Sequence, residues 1–179
     1  MYGEELRHDY KKAALKDAAG IAKVHVESWK TTYKGIIPNT YLQQLNEHNR
    51  EKLWQRNIPE QIVYVAENNQ RDIIGFSSGG MERSGKYPPY NGELYAVYIL
   101  KEYQRRGIGQ ALLTPLVNEL IARQLHAMVV IVLADNPSRF FYEKLGGERI
   151  DTLVTSIADK QLREVVYGWK DIHILKNIM

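Results

Sequence analysis

The segment 104–109, with the sequence Q-R-R-G-I-G, combines two glycines and two arginines at a predicted turn. It follows an apolar stretch typical of a buried strand and precedes a stretch with helical periodicity. The first amides of a helix have no partner inside the helix and lie at the positive end of its dipole. Glycine lets an anion approach the backbone, and Arg105 and Arg106 add positive charge. The segment is therefore a candidate phosphate-binding turn, although so short a pattern also fits a tight turn with solvated arginines.

A second group of candidates lies downstream of the turn. Asn136 follows the next apolar stretch, and Tyr142 stands six residues later in a short predicted helix. Each residue has an ordinary explanation, because asparagine caps helices and aromatic side chains fill cores. Considered together with the turn at Gln104, they favour a functional site.

The hydrophobic pattern predicts the elements that position these residues. The order is a weak strand at 7–14, a helix from Asp17 to about Gly35, a helical region from Pro38 to about Arg56 closed by Pro59, strands at 61–67, 71–77 and 93–100, a helix at 107–125, a strand at 127–134, a short helix at 137–145, and strands at 149–155 and 162–169, with a loop at 79–91. Strand 93–100, the following helix and strand 127–134 form a right-handed crossover between parallel strands. The other strands read as antiparallel hairpins. The predicted fold class is therefore α/β, a central mixed sheet flanked by helices, in one domain spanning residues 1–179.

Composition narrows the function classes. The chain has 179 residues, 44% of them hydrophobic, and 24 Lys+Arg against 21 Asp+Glu give a formal charge of +3. There is no cysteine, which excludes a thiol nucleophile, a disulfide framework and an iron–sulfur cluster. A charge this small predicts no bulk binding to nucleic acid. No apolar run reaches membrane-spanning length and the first 17 residues are rich in charge, so we expect no membrane association and a cytoplasmic location.

Two other phosphate-binding motifs fit less well. A dinucleotide-binding G-x-G-x-x-G motif would need a third glycine where this chain has Leu112, and no further strand–helix alternation follows. Residues 80–86 read G-x-x-x-x-G-K, but Tyr87 stands where a magnesium-binding Ser or Thr is needed. A dinucleotide-binding protein stays open as the less favoured alternative, and the second motif is a coincidence.

Hydrolase and metal chemistry are also disfavoured. Ser77 lies in a G-x-S-x-G pattern, but a nucleophile elbow must lead into a helix and this one leads into a Gly/Pro loop. The histidines have no H-x-x-x-H spacing and fall in different predicted elements, so we expect no metal site. They are His8, His25, His48, His126 and His173.

With the turn, the Asn136–Tyr142 pair and the element order combined, the chain resembles the GNAT superfamily of N-acetyltransferases over nearly its whole length. The resemblance implies that acetyl-CoA is the co-substrate and lies in a V-shaped opening between strands 93–100 and 127–134. It implies a pyrophosphate on the turn amides and a pantetheine arm paired with the first strand. The implied cofactor-binding residues are Val97, Tyr98, Ile99, Gln104, Arg105, Arg106, Gly107, Ile108, Gly109, Gln110, Asn136, Arg139 and Tyr142.

The resemblance also implies catalytic roles. Tyr142 matches the tyrosine that commonly protonates the departing thiolate. A primary amine with a pKa of about 10.4 is only about one part in a thousand neutral at pH 7, so the nucleophile needs a base or a water chain. Glu93, eleven residues before Gln104, has the spacing of the catalytic glutamate of some members. It fits equally well as a strand-end acid facing water.

The acceptor is expected to be a primary amine of a small molecule or a peptide, attacking the thioester directly because the chain has no thiol for an acetyl-enzyme. Trp29 and Tyr33, four residues apart on one helix face, could form a wall for it, although Trp29 fits the core as well. A CoA-binding sensor without turnover remains an alternative. A homodimer is possible, because C-terminal strands often pair across a dimer in this fold.

Overall fold

The computed structural model describes residues 8–178, which form one seven-stranded sheet with helices on both faces. The strands are β1 (Asp9–Lys12), β2 (Ile62–Glu67), β3 (Ile73–Met81), β4 (Gly92–Ile99), β5 (Met128–Leu133), β6 (Glu148–Ile157) and β7 (Lys160–Trp169), and the α-helices are α1 (Ala18–Thr32), α2 (Asn39–Gln44), α3 (Glu47–Glu60), α4 (Ile108–Ala122) and α5 (Arg139–Lys144). Short 3₁₀ turns at Leu15–Asp17, Lys101–Tyr103 and Ile172–Asn177 complete the fold. The predicted first strand began at Arg7, which lies outside the described residues.

The strand order is β1-β2-β3-β4-β5-β7-β6, and β4 and β5 are the parallel pair. The predicted crossover through α4 and the mixed α/β fold class are therefore confirmed. On its other side β5 pairs with antiparallel β7, not with a further parallel strand. This arrangement lacks the alternation that a dinucleotide-binding fold requires.

The sequence prediction was wrong at two places outside the crossover. The loop expected at 79–91 starts later, because β3 continues through Gly79 and Gly80 to Met81. A Cβ at Gly79 would lie 2.8 Å from the Glu93 carbonyl oxygen, so these glycines allow a close approach of β4. The expected helical region 38–56 is split in two. The break lies between α2 and α3. Asn46 caps the N-terminus of α3, and its side chain accepts a hydrogen bond from the Asn49 amide at 3.1 Å.

The core is divided by the sheet into two layers. One layer joins α4 and the C-terminal segment to the sheet, and Leu116, Leu120 and Trp169 are among its fully buried members. The other joins α1 and α3 to the opposite face around Trp54 and Phe76. With helices on both faces, the favoured place for a ligand in such a sheet is where two of its strands separate.

Within residues 8–178, no helix is both long enough and apolar enough to cross a membrane.

Candidate active site

The parallel strands β4 and β5 separate after three residue pairs. Gly92–Leu94 pairs with Met128–Val130, and no further pair joins the two strands. At this point β4 contains a bulge: Gly79 of β3 is opposite Leu94 and Ser78 is opposite Ala96, so Tyr95 is an extra residue. A bulge bends and twists its strand. The bend therefore coincides with the opening of a cleft in the middle of the sheet.

The half of β4 beyond the bulge presents backbone groups to this cleft. The Leu100 amide donates to the Ile74 carbonyl of β3 at 2.9 Å, and strand alternation then directs the backbone of Val97 and Ile99 away from β3. The Ile99 carbonyl accepts a hydrogen bond from the Gln104 side chain at 3.0 Å. The Val97 N–H and C=O and the Ile99 N–H remain as an open strand edge to which an extended ligand can pair.

A cavity fills the opening and extends under α1. Eight of the residues selected from the sequence line it, namely Trp29, Tyr33, Val97, Tyr98, Ile99, Gln104, Asn136 and Tyr142. They come from α1, β4, the turn after β4, the turn after β5 and α5. The structure thus brings together side chains separated by more than a hundred positions in the sequence.

The turn at 104–110 lies at the cleft end of β4 and leads into α4. Arg105 and Gly107 have left-handed backbone conformations, with φ of 62° and 78°, and α4 begins at Ile108. Among the described residues, the amides of 105–110 donate to no other group. The first bonded amide of the helix is Ala111, which donates to the Gly107 carbonyl at 3.1 Å. Six consecutive amides without partners at a helix N-terminus form a fitting site for a diphosphate.

Tyr142 reaches the cavity from α5. Its ring packs edge-on against Trp169 at a centroid distance of 6.5 Å, and the residue is only 5% exposed. Its hydroxyl makes no hydrogen bond to another described residue. Burial raises the pKa of Tyr142 well above its usual value, and the nearby Tyr98 adds to the effect. The phenol therefore stays protonated at physiological pH and is available as a proton donor.

Asn136 joins the end of β5 to α1. Its side-chain oxygen accepts a hydrogen bond from the Ser138 amide at 2.9 Å, and its amide nitrogen donates to the Tyr33 hydroxyl at 3.3 Å. Tyr33 in turn packs edge-on against Trp29 at 4.8 Å. Both predicted acceptor-side aromatic residues are thus held against the cavity wall.

Besides the turn residues 105–110, two predicted residues, Glu93 and Arg139, do not line the cavity. Glu93 is 3% exposed and does not line it; its carboxylate accepts hydrogen bonds from Arg83, from the backbone amide at 3.0 Å and from the guanidinium at 2.6 and 3.2 Å. Arg139 stacks over Phe140 at 4.3 Å and pairs with Glu143 at 3.3 Å. Each charged group is thus engaged by a neighbouring side chain.

Tyr95 and Glu164 are among the cavity-lining residues that were not predicted from the sequence. Tyr95 is the bulged residue of β4, and nothing in the sequence marks a bulge. Glu164 had a signal: it alternates with Leu162 and Val166, which are buried on the same face of β7. A charged residue at an inward position of an apolar strand indicates a functional role or an error in the assignment.

Comparison with known proteins is consistent with this geometry. The family model for FR47-like proteins matches residues 84–155. The uncharacterized N-acetyltransferase YuaI of Bacillus subtilis is 41% identical over 169 residues, which cover 94% of this chain and 96% of YuaI. Of the solved structures, PaiA N-acetyltransferase from Thermoplasma acidophilum in complex with coenzyme A superposes with a TM-score of 0.71, at 21% identity over 89% of this chain and 98% of that one. YncA from Salmonella typhimurium with its cofactor acetyl-CoA gives a TM-score of 0.66, at 20% identity over 90% and 92% of the two chains.

Proposed function

Because the chain belongs to the GNAT superfamily of N-acetyltransferases, we propose that it transfers the acetyl group of acetyl-CoA directly to a primary amine of a small molecule or a peptide. The relative YuaI is named as an N-acetyltransferase, and the structural neighbour YncA was solved with acetyl-CoA as its cofactor.

One observation carries the proposal: the open edge of β4 and Tyr142 border one cavity, and Gln104, which also lines it, leads directly into the unbonded amides of 105–110. The amides and the helix dipole suit the diphosphate of coenzyme A. The backbone of Val97 and Ile99 suits the amide-containing pantetheine arm, which can pair with it as an added strand. Bound acetyl-CoA would supply an activated acyl group, a thioester with a thiolate leaving group.

The chain's own groups assist at the two ends of that reaction. The Tyr142 phenol donates its proton to the sulfur as the thiolate departs, and its raised pKa keeps the proton in place until then. Backbone amides next to the Tyr95 bulge are candidates to polarise the thioester carbonyl, as donors in an oxyanion hole do. The aromatic rings of Trp29 and Tyr33 cover the acceptor side and limit the access of water.

The assignment of Glu93 as the base stays a prediction, and its geometry argues for a structural role. Both oxygens of the Glu93 carboxylate accept hydrogen bonds from Arg83, so the group is engaged in a structural contact. We expect Glu93→Gln to lower the free energy of unfolding by about 1–3 kcal/mol and to leave the pH profile of the rate unchanged. A loss of rate confined to pH values below 8 would instead support the predicted base.

Two measurements test the proposed function. Titration calorimetry with acetyl-CoA should give saturable heats, and a panel of primary amines should contain at least one that releases free CoA in proportion to acetylated product. Flat heats at millimolar acetyl-CoA would refute the donor assignment. Binding without turnover by any amine would favour a CoA-binding sensor.

The other expectations stay predictions: the cytoplasmic location, the absence of a metal, the lack of nucleic-acid or membrane partners, and the possible homodimer.

A further inference from the structure

The carboxylate of Glu164 enters the cavity from β7. Glu164 is opposite Leu133 of β5, so both side chains project from the same face of the sheet. This is the face covered by α1, away from α4. The residue is half-buried and lines the cavity together with Trp29 and Tyr95.

Glu164 differs from four other shielded carboxylates, each of which has an ion-pair partner. Asp17 and Glu67 pair with Lys11, Glu93 pairs with Arg83, and Glu119 pairs with Lys12 and Arg123. Glu164 forms no hydrogen bond and no ion pair with any residue in the range 8–178. Burial without a partner raises the pKa of its carboxyl group. A shielded charge in this condition destabilises the fold unless something else compensates it.

The other residues that line the cavity favour a cation as the group that offsets the charge of Glu164. Glu164 is the one residue of the cavity lining that carries a formal charge at neutral pH, and the described lining includes neither lysine nor arginine. Aromatic rings surround the space, among them Trp29, Tyr95 and Tyr98. The faces of aromatic rings and a carboxylate both attract ammonium groups, while an anionic group would meet repulsion.

The same arrangement separates the two substrates by charge. The turn at 104–110, with its amides and arginines, attracts an anion at one end of the cleft, and Glu164 attracts a cation on the α1 side. We propose that Glu164 binds an ammonium group of the acceptor, so that the acceptor is selected as a cationic amine. This inference rests on the proposed function and names the residue that recognises its second substrate.

The test compares matched cationic and neutral probes on the protein loaded with coenzyme A. One pair is 1,4-diaminobutane and 1,4-butanediol; the other is trialanine amide with a free or an acetylated N-terminus. Titration calorimetry should detect at least one cationic member binding more tightly than its neutral partner. Glu164→Gln should weaken that binding by about 10- to 100-fold and leave the neutral member unchanged, as expected for loss of a charged hydrogen bond.

Two control variants complete the design. Glu148→Gln removes the same charge from an exposed position on the neighbouring strand β6 and should leave all four affinities unchanged. Glu164→Asp, which keeps the charge, should retain part of the preference. Equal binding of both members of each pair, or a Glu164→Gln variant that binds the cation as wild type does, would overturn the inference. If the wild-type protein does not bind coenzyme A, the proposed function is refuted instead. Failure of the inference and failure of the proposed function are therefore distinguishable.

Discussion

Burial determines which side chains of this site can exchange protons. Tyr142 and Glu164 are both shielded, and in each case desolvation shifts the pKa upwards by disfavouring the charged form. The consequence differs with the group. The Tyr142 phenol keeps its proton at physiological pH, whereas ionisation of the Glu164 carboxyl group costs free energy that a bound cation can offset.

The Tyr142→Phe variant tests the first of these roles. The substitution removes only a hydroxyl that has no described hydrogen-bond partner, so the packing against Trp169 and the fold should be preserved. We expect kcat to fall about 100-fold or more, as is typical for loss of a general acid. The calorimetric affinity for acetyl-CoA should be unchanged. A variant as active as wild type would remove Tyr142 from the mechanism.

A stability measurement on Glu164→Gln needs no acceptor. The folded protein raises the pKa of this carboxyl group, so the folded state binds its proton more tightly than the unfolded state does. The ionised group therefore costs stability at neutral pH, and the cost disappears as the pH falls below the pKa of the unfolded chain. Thermal unfolding at pH 8 should show a higher Tm for Glu164→Gln than for wild type, and at pH 4 the difference should shrink. A lower Tm at pH 8 would mean that Glu164 has a stabilising partner.

At the scale of elements, the site depends on β4 being parallel to β5 over only three residue pairs. The parallel crossover followed from the spacing of two apolar stretches around one helical stretch, and the structure confirms it. The bulge at Tyr95 did not follow, because any residue can occupy such a position and its cause lies in the pairing with β3. Beyond the bulge, Val97 and Ile99 are paired with β3 but have no pairing partner on the β5 side.

Substitution of Gly107 tests whether the turn at 104–110 binds an anion. The Gly107 φ of 78° lies in the left-handed region, and a Cβ there would meet no atom within 4 Å. Gly107→Ala should therefore cost about 1–2 kcal/mol of stability through backbone strain without a steric clash. We also expect it to weaken acetyl-CoA binding at least several-fold by misaligning the amides that begin α4.

Gly85 offers a matched control in the loop after β3. Its φ is 67° and a Cβ there would also lie in open space, so Gly85→Ala carries a similar strain. Its stability loss should resemble that of Gly107→Ala, while its affinity for acetyl-CoA should equal that of wild type. Equal affinities in both variants would show that the turn does not bind the donor.

At the scale of the molecule, the cleft opens between β4 and β5, and both α1 and α4 pack against β4. A ligand that pairs with β4 and touches the start of α4 should therefore stabilise the whole fold. At 100 times its dissociation constant, a ligand adds about 2.7 kcal/mol to the free energy of unfolding. For a chain of this size, we expect acetyl-CoA to raise Tm by about 5–10 °C. NAD at the same concentration should cause no shift, and equal shifts would revive the dinucleotide alternative.

The sequence by itself determined the mixed sheet, the crossover, the glycine turn and the family. Each of these depends on local periodicity or on spacing along the chain, which the order of residues records directly. Tertiary structure alone decided that Arg83 binds Glu93, that the cleft opens at Tyr95 and that Glu164 stands unpaired within it. Those features depend on contacts between residues distant in the chain and on exclusion of water, and both arise only when the layers pack.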